Sequence, residues 1–353
     1  MVDTPDSKAS NGGSWALIAI AVAALVVAFV YTAGWLSPAR LTPARLVDSL
    51  APPGGAVAGF RRNHAKGICF TGSFESNGAG ARVSTAPMLA AGSFPVTGRF
   101  NLGTPDPQSQ DAMARVRGLG LRIEAPDGVE WRAAMIDAPF FPVSTPQAFY
   151  DLQMALANKG DPTAVPRFAA SHPGLGEFVK WAGTAAWTAS FAEEPYNGLD
   201  SFVFTNASGK DQVVRWSFVP LAERHELTAD QIKQRGANFL DAEIAQRVSA
   251  AAQQWRLVIT LANPGDPTDD PSKAWPEDRE HIDAGLLVVK AIEPEPDGPC
   301  RDLNFDPTVL PPGMRVSDDP FPAARSAAYS VSFNRRAAEY KAYPHTPAEG
   351  VQQ

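Results

Sequence analysis

Arg61-Arg62-Asn63-His64-Ala65-Lys66-Gly67, read with Arg325-Ser326-Ala327-Ala328-Tyr329 near the other end of the chain, carries the reading on which the fold turns. The first stretch sets a histidine in a basic, glycine-bounded segment rather than on an apolar stripe. Of the five histidines only His64 has such a setting. A lone histidine is most often structural, but a neutral imidazole can take a proton from one atom and return it to another. In the second stretch Arg325 and Tyr329 are four apart, so a helix places them on one face and within reach of each other. A guanidinium beside a phenol favours the phenolate, a usable iron ligand. Taken alone, the pair is more often an ordinary contact of cation and aromatic ring on a helix.

Working outward, the second stretch lies in PFPAARSAAYSVSFNRRAAEYKAY, rich in alanine and arginine and unbroken between Pro322 and Pro344, which predicts a helix. The residues between the two stretches have another texture. Gly67 to Arg99 carries short alternating apolar runs punctuated by Gly78, Gly80, Pro87 and Gly92, and VTGRFNLG, LGLRIEAP and WRAAMIDAPFF continue it. SFVFTNASGKDQVVRWSFVPL places two alternating runs on either side of Asn206-Ala207-Ser208-Gly209, a hairpin signal. WRLVITLANPGD and GLLVVKAIEP add two strands, and PQAFYDLQMALANKG reads as a helix closed by Gly160. Many short strands with regular turns predict a closed or nearly closed antiparallel sheet. The fold class is therefore α+β, an antiparallel β-barrel core with flanking helices.

From Trp15 to Leu36 the chain runs WALIAIAVAALVVAFVYTAGWL without a charge, long enough as a helix to cross a hydrocarbon layer of about 30 Å. Trp15 at one end and Tyr31 with Trp35 at the other suit the two interfaces. The competing reading is a cleaved signal peptide, whose apolar region is usually only ~7–15 residues long and ends in a small-residue cleavage site that does not stand out cleanly here. Lys8 before the span and Arg40 and Arg45 after it give conflicting orientation signals. The expected division is a tail over 1–14, a transmembrane helix over 15–36, a linker over 37–55 broken by prolines and glycines and holding one short amphipathic turn, one large domain over 56–345 and a tail over 346–353.

A formal charge of −7 with lysines and arginines scattered rather than clustered offers no basic stripe to a phosphate backbone, which excludes a nucleic-acid partner. Cys69 and Cys300 are too few for a disulfide framework and lack zinc-site spacing. Two separate thiols are the ordinary reading, and a single bridge requires an oxidising compartment.

The order of motifs then points to a family. His64-Ala65-Lys66-Gly67, Gly98-Arg99-Phe100, Pro139-Phe140-Phe141, the hairpin at Asn206, Trp255-Arg256-Leu257, Trp275-Pro276, Phe305-Asp306-Pro307 with Leu310-Pro311-Pro312-Gly313, and finally Arg325 to Arg336 is similar to the catalase superfamily, over about residues 50 to 345. The chain is shorter than a full catalase and carries an apolar segment at its start, and in this it resembles the small catalase-related peroxidases of bacteria. The resemblance implies haem b, with Tyr329 as axial ligand of the iron and His64 as the acid-base residue on the other face. It further implies Arg325 beside the ligand, Arg61, Arg99 and Arg336 as partners of the haem carboxylates through paired N–H donors, and a periplasmic domain.

Two positions depart from the family pattern. Where catalases have an asparagine just before the Pro-Phe-Phe stretch, this chain reads Met135-Ile136-Asp137-Ala138, and Asn101 stands where a serine follows the Arg-Phe pair. Both alter the hydrogen bonding available to peroxide and to His64. The expectation is a haem peroxidase that reduces hydrogen peroxide or organic hydroperoxides with an electron donor, with weak or no catalase activity. A lyase or isomerase of hydroperoxides and a non-catalytic, membrane-tethered haem-binding protein are the alternatives.

Overall fold

In a computed structural model, residues 12–32, 35 and 40–342 are described, and they divide into two units, Met1–Thr42 and Pro43–Gln353. The first holds α1 (Gly12–Thr32), an uncharged helix whose window Trp15–Thr32 is apolar enough to cross a membrane. Trp35 packs edge-on to Phe29 with ring centres 5.8 Å apart, and Leu36, the expected end of the span, lies outside the described residues.

The second unit is built on a barrel. Its strands are β1 (Gly67–Ser76), β2 (Gly92–Leu102), β3 (Arg117–Glu124), β4 (Glu130–Ile136), β5 (Trp187–Thr188), β6 (Tyr196–Thr205), β7 (Asp211–Pro220), β8 (Glu226–Leu227), β9 (Gln253–Leu261), β10 (His281–Glu293) and β11 (Met314–Val316). Eight of them run β6-β4-β3-β2-β1-β10-β9-β7, and β7 pairs back onto β6 to close the ring. All these pairings are antiparallel, as the alternating runs predict. The interior is filled by large side chains, among them Phe70, Phe74, Phe100, Trp131, Tyr196, Trp216 and Trp255. Gly98 makes room for them, because a Cβ there would lie 2.0 Å from the ring of Phe70. One seam is weak: β4 meets β6 through the single pair Ile136 and Asn197.

Helices cover the barrel: α2 (Pro43–Asp48), α3 (Pro146–Ala157), α4 (Ala164–Ser171), α5 (Pro173–Thr184), α6 (Ala229–Lys233), α7 (Phe239–Ala250) and α8 (Phe321–Ala338). The predicted helices α3 and α8 are present. The Pro322–Pro344 stretch stays helical only to Ala338, followed by a 3-10 turn at Tyr340–Ala342, and residues beyond 342 lie outside the described ones. The short amphipathic turn expected in the linker is α2, which belongs to the second unit and has Leu46 and Val47 buried in it. Cys69 and Cys300 are not separate thiols. They form a disulfide with Cα atoms 5.4 Å apart, joining β1 to the loop after β10.

Candidate active site

A single stripe of α8 lines a cavity: Arg325, Ala328, Tyr329, Ser332, Phe333 and Arg336 recur at helical spacing and face it together. The opposite contribution is the loop Arg61–His64, and the barrel adds Arg99, Asn101, Leu119, Gly120, Ala134, Met135 and Ile136. All six residues singled out in the sequence, His64, Arg61, Arg99, Arg325, Tyr329 and Arg336, therefore meet at one place.

The histidine loop is pinned at both ends. Arg62 donates to the Phe60 carbonyl and, at 2.6 Å, to Glu339 beyond α8. The Lys66 ammonium is buried against Asp111 at 2.5 Å and Asn238 at 2.7 Å, so the lysine of the His-Ala-Lys-Gly motif is a structural anchor. Between these anchors His64 takes φ +54°, the left-handed region that costs a residue with a side chain about 1–3 kcal/mol unless its surroundings fix it. Arg99 fixes it, donating from Nη1 to the His64 carbonyl at 2.8 Å and from Nη2 to the Ala65 carbonyl at 3.2 Å. Gly67 permits this approach, since a Cβ there would lie 2.6 Å from the Arg99 guanidinium carbon.

His64 Nδ1 lies 2.6 Å from Asn101 Oδ1. The Asn101 amide nitrogen donates to the Arg99 carbonyl at 3.4 Å, which turns its oxygen toward the imidazole and places the ring proton on Nδ1. Nε2 is then left as a lone pair. Asn101 fits because Gly118 stands opposite it, where a Cβ would lie 2.2 Å from Oδ1. Withdrawal from bulk water, with the positive charges of Arg99, Arg325 and Arg61, depresses the His64 pKa to about 4 against the raising effect of Asn101. The imidazole is neutral at physiological pH.

On α8, Arg325 donates to Tyr329 Oη at 3.3 Å, to the Ala134 carbonyl at 2.8 Å and to buried Asp200 at 2.5 Å. Burial pulls the Arg325 pKa down, but Tyr329 and Asp200 outweigh it and hold the guanidinium well above its ordinary value. Asp319 accepts the Phe321 N–H at 2.9 Å at the start of α8, and burial beside Asp200 pushes its pKa up to about 7.

At the third corner, Arg61, Arg99 and Arg336 surround one buried carboxylate, Glu295. Arg99 holds it with two parallel donors at 2.8 and 2.6 Å, and Arg61 reaches it at 3.4 Å. Four of the five Arg99 N–H groups are committed to Glu295 and the His64 loop. Arg61 and Arg336 are less committed. Arg61 Nη2 donates to the carbonyls of Cys300, Arg301 and Leu303, and Arg336 Nη1 to that of Arg301, while Arg61 Nη1 and Arg336 Nη2 make no hydrogen bond to the described residues. Burial and mutual repulsion lower the pKa of Arg61 to about 9 and that of Arg336 below its usual value.

Asp137, the acid of the Met135–Ala138 stretch, is not among the residues lining the cavity. It pairs with Arg115 at 2.9 Å and accepts the Arg117 N–H at 3.0 Å, leaving Met135 and Ile136 on the cavity wall. Burial pushes its pKa up to about 7. Glu295, Asp200 and Asp319 escaped the sequence reading.

The family described as Catalase matches residues 32–348 of the chain. A catalase-related peroxidase of Synechococcus elongatus is 32% identical over 324 residues, covering 90% of this chain and 96% of that protein. A catalase-related peroxidase of Mycolicibacterium paratuberculosis is 30% identical over 298 residues, covering 84% and 95%. Among solved structures, catalase A from Saccharomyces cerevisiae superposes with a TM-score of 0.69 at 17% identity, over 78% of this chain and 61% of that one. The chain thus spans about three-fifths of that larger catalase.

Proposed function

This chain belongs to the catalase family, and from that premise we propose that it is a haem-dependent peroxidase that reduces hydrogen peroxide or organic hydroperoxides at the expense of an electron donor. The observation that carries the reading is the convergence of His64 and the Arg325–Tyr329 pair on one cavity.

The residues fit a haem by the chemistry of their donors. Tyr329 offers a phenol oxygen supported by a guanidinium, and Gly120, Ala134, Ala324 and Ala328 leave space along the lining. Three guanidiniums against one carboxylate leave a surplus of positive charge, suited to two further carboxylates. The uncommitted N–H groups of Arg61 and Arg336 would hold them, with Arg99 contributing one. Both cysteines are used in the disulfide, so no thiol remains for covalent attachment, which supports haem b. Bound there, a haem supplies the iron at which the peroxide O–O bond is cleaved and the electrons that a donor later replaces.

The chain's own part is proton handling. His64 Nε2 accepts the proton from one peroxide oxygen and delivers it to the other as that oxygen departs as water or an alcohol. The low pKa of His64 keeps the base available across the physiological range. Apolar side chains at the cavity, including Leu46, Val47, Leu50, Phe141, Phe149 and Phe321, support organic hydroperoxides beside hydrogen peroxide.

The proposed placement is a single-pass anchor with the catalytic domain in the periplasm. Helix α1 supports the anchor, and the Cys69–Cys300 bridge supports an oxidising compartment. Turnover of hydrogen peroxide and of an alkyl hydroperoxide, with and without an electron donor, tests the reaction. Donor-dependent consumption is expected, and donor-independent rearrangement or no turnover would overturn it.

A further inference from the structure

In the peroxide pocket just described, His64 supplies a base, yet a departing oxygen also needs a hydrogen-bond donor while charge builds on it. Met135 and Ile136 bring no N–H from their side chains. Asn63 does. Its Oδ1 accepts the backbone N–H of His64 at 2.9 Å. A backbone N–H only donates, so the amide atom facing it is the oxygen, and the orientation of the NH2 group is thereby settled. That NH2 makes no hydrogen bond to any described residue, and Asn63 lines the cavity together with His64 and Asn101. The other amides near the base are committed. Asn101 is turned to His64 and the Arg99 carbonyl, and Asn197 donates to the Ala138 carbonyl at 3.0 Å while accepting from Ser217 at 2.7 Å. Asn304 also lines the cavity, but no contact ties it to His64.

Resting on the haem-peroxidase reading, we propose that Asn63 is a catalytic residue that donates a hydrogen bond from its NH2 group to the peroxide oxygen that leaves. As the O–O bond breaks, that oxygen takes the bonding electron pair and the His64 proton and leaves as water or an alcohol, the two electrons being those that the haem would supply and the donor restore, and the Asn63 N–H stabilises it in between. The two residues are adjacent in the chain, and the Asn63 oxygen on the His64 N–H holds both in one geometry.

The test uses the full chain loaded with haem and an anion that accepts such a bond, fluoride, titrated by absorbance, with imidazole as a ligand that does not depend on it. Asn63→Ala is expected to weaken fluoride binding by about tenfold or more, the usual worth of a hydrogen bond to a charged partner, with imidazole affinity and haem content unchanged. Asn63→Ser, which keeps an oxygen for the His64 N–H, guards against a folding defect and is expected to show the same split. The second-order rate with hydrogen peroxide should fall in parallel. Unchanged fluoride affinity overturns the proposal, and so does an equal loss of fluoride and imidazole binding, which marks a purely structural role. A chain that takes up no haem would instead overturn the peroxidase reading on which this rests.

Discussion

Arg99 holds the carbonyl of His64 at 2.8 Å with the same guanidinium that grips Glu295 at 2.8 and 2.6 Å. The strained backbone of the proposed base thus hangs on an ion pair at the edge of the cavity. Arg99→Lys keeps the charge but replaces a planar fork by a point donor that cannot serve both partners. Peroxidase kcat/KM is expected to fall about 10²-fold through displacement of His64, while haem remains bound. Kinetics and haem content on one preparation check this, and a wild-type rate would refute the clamp.

Tyr329→Phe removes a single oxygen from α8 and leaves the ring in place. Arg325 then keeps Asp200 and the Ala134 carbonyl but loses its phenol partner. Haem content or the ferric absorption spectrum is expected to change clearly. An unaltered spectrum would remove Tyr329 as the axial ligand.

Much of this was visible in the order of residues. Arg325 and Tyr329 sit one helical turn apart, so local periodicity alone brings them together, and the alternating runs from Gly67 onward mark the barrel strands. Helix α7 had a readable signal, because Leu240, Ile244 and Val248 are spaced at i, i+4 and i+8 and all are buried. Helices α4 and α5 did not, being short, interrupted by Pro166, Pro173, Gly174 and Gly176, and each buried at a single hydrophobic residue. Glu295 and Asp200 were invisible for another reason. Their partners Arg99 and Arg325 are 196 and 125 residues away, and only closure of the barrel brings each pair together. The disulfide spans 231 residues and was likewise undetermined until the loop after β10 was placed against β1.

That loop matters to the cavity, because the carbonyls of Cys300, Arg301 and Leu303 orient Arg61, and that of Arg301 orients Arg336. Replacing both Cys69 and Cys300 by alanine is expected to cost about 2–5 kcal/mol of stability. It should also weaken haem retention, since two of the proposed carboxylate partners lose their fixed backing. Thermal melts and transfer of haem to an acceptor protein measure the two effects, and unchanged retention in the destabilised variant would separate the bridge from the haem site.

The pKa of His64 sets a pH profile. Its ordinary value of 6.5 falls to about 4, so between those values the unfolded chain binds a proton that the folded one does not. The stability tied to this group is therefore present above pH 6.5 and is lost as the pH falls through 4. Activity should follow the folded value, with kcat/KM losing His64 as a base near pH 4 rather than near 6.5. An acid limb centred at 6.5, absent from His64→Ala, would contradict the withdrawn environment of the imidazole.

The last prediction concerns where the soluble part begins. Helix α1 is uncharged and apolar along its length, whereas α2 is part of the second unit: Leu46 and Val47 are buried and line the cavity, and Asp48 pairs with Arg335 of α8 at 2.5 Å. A chain beginning at Arg40 should remain in the soluble fraction and take up haem, while the full chain fractionates with membranes. A chain beginning at Pro52 also lacks α1, but it leaves an apolar gap at the cavity wall, each lost side chain costing about 1.5–3 kcal/mol of burial. It should melt earlier and hold haem less firmly than the longer form. If the Arg40 form sediments with membranes as fully as the intact chain, α1 is not the anchor. If the two shortened forms melt alike, α2 does not belong to the cavity wall.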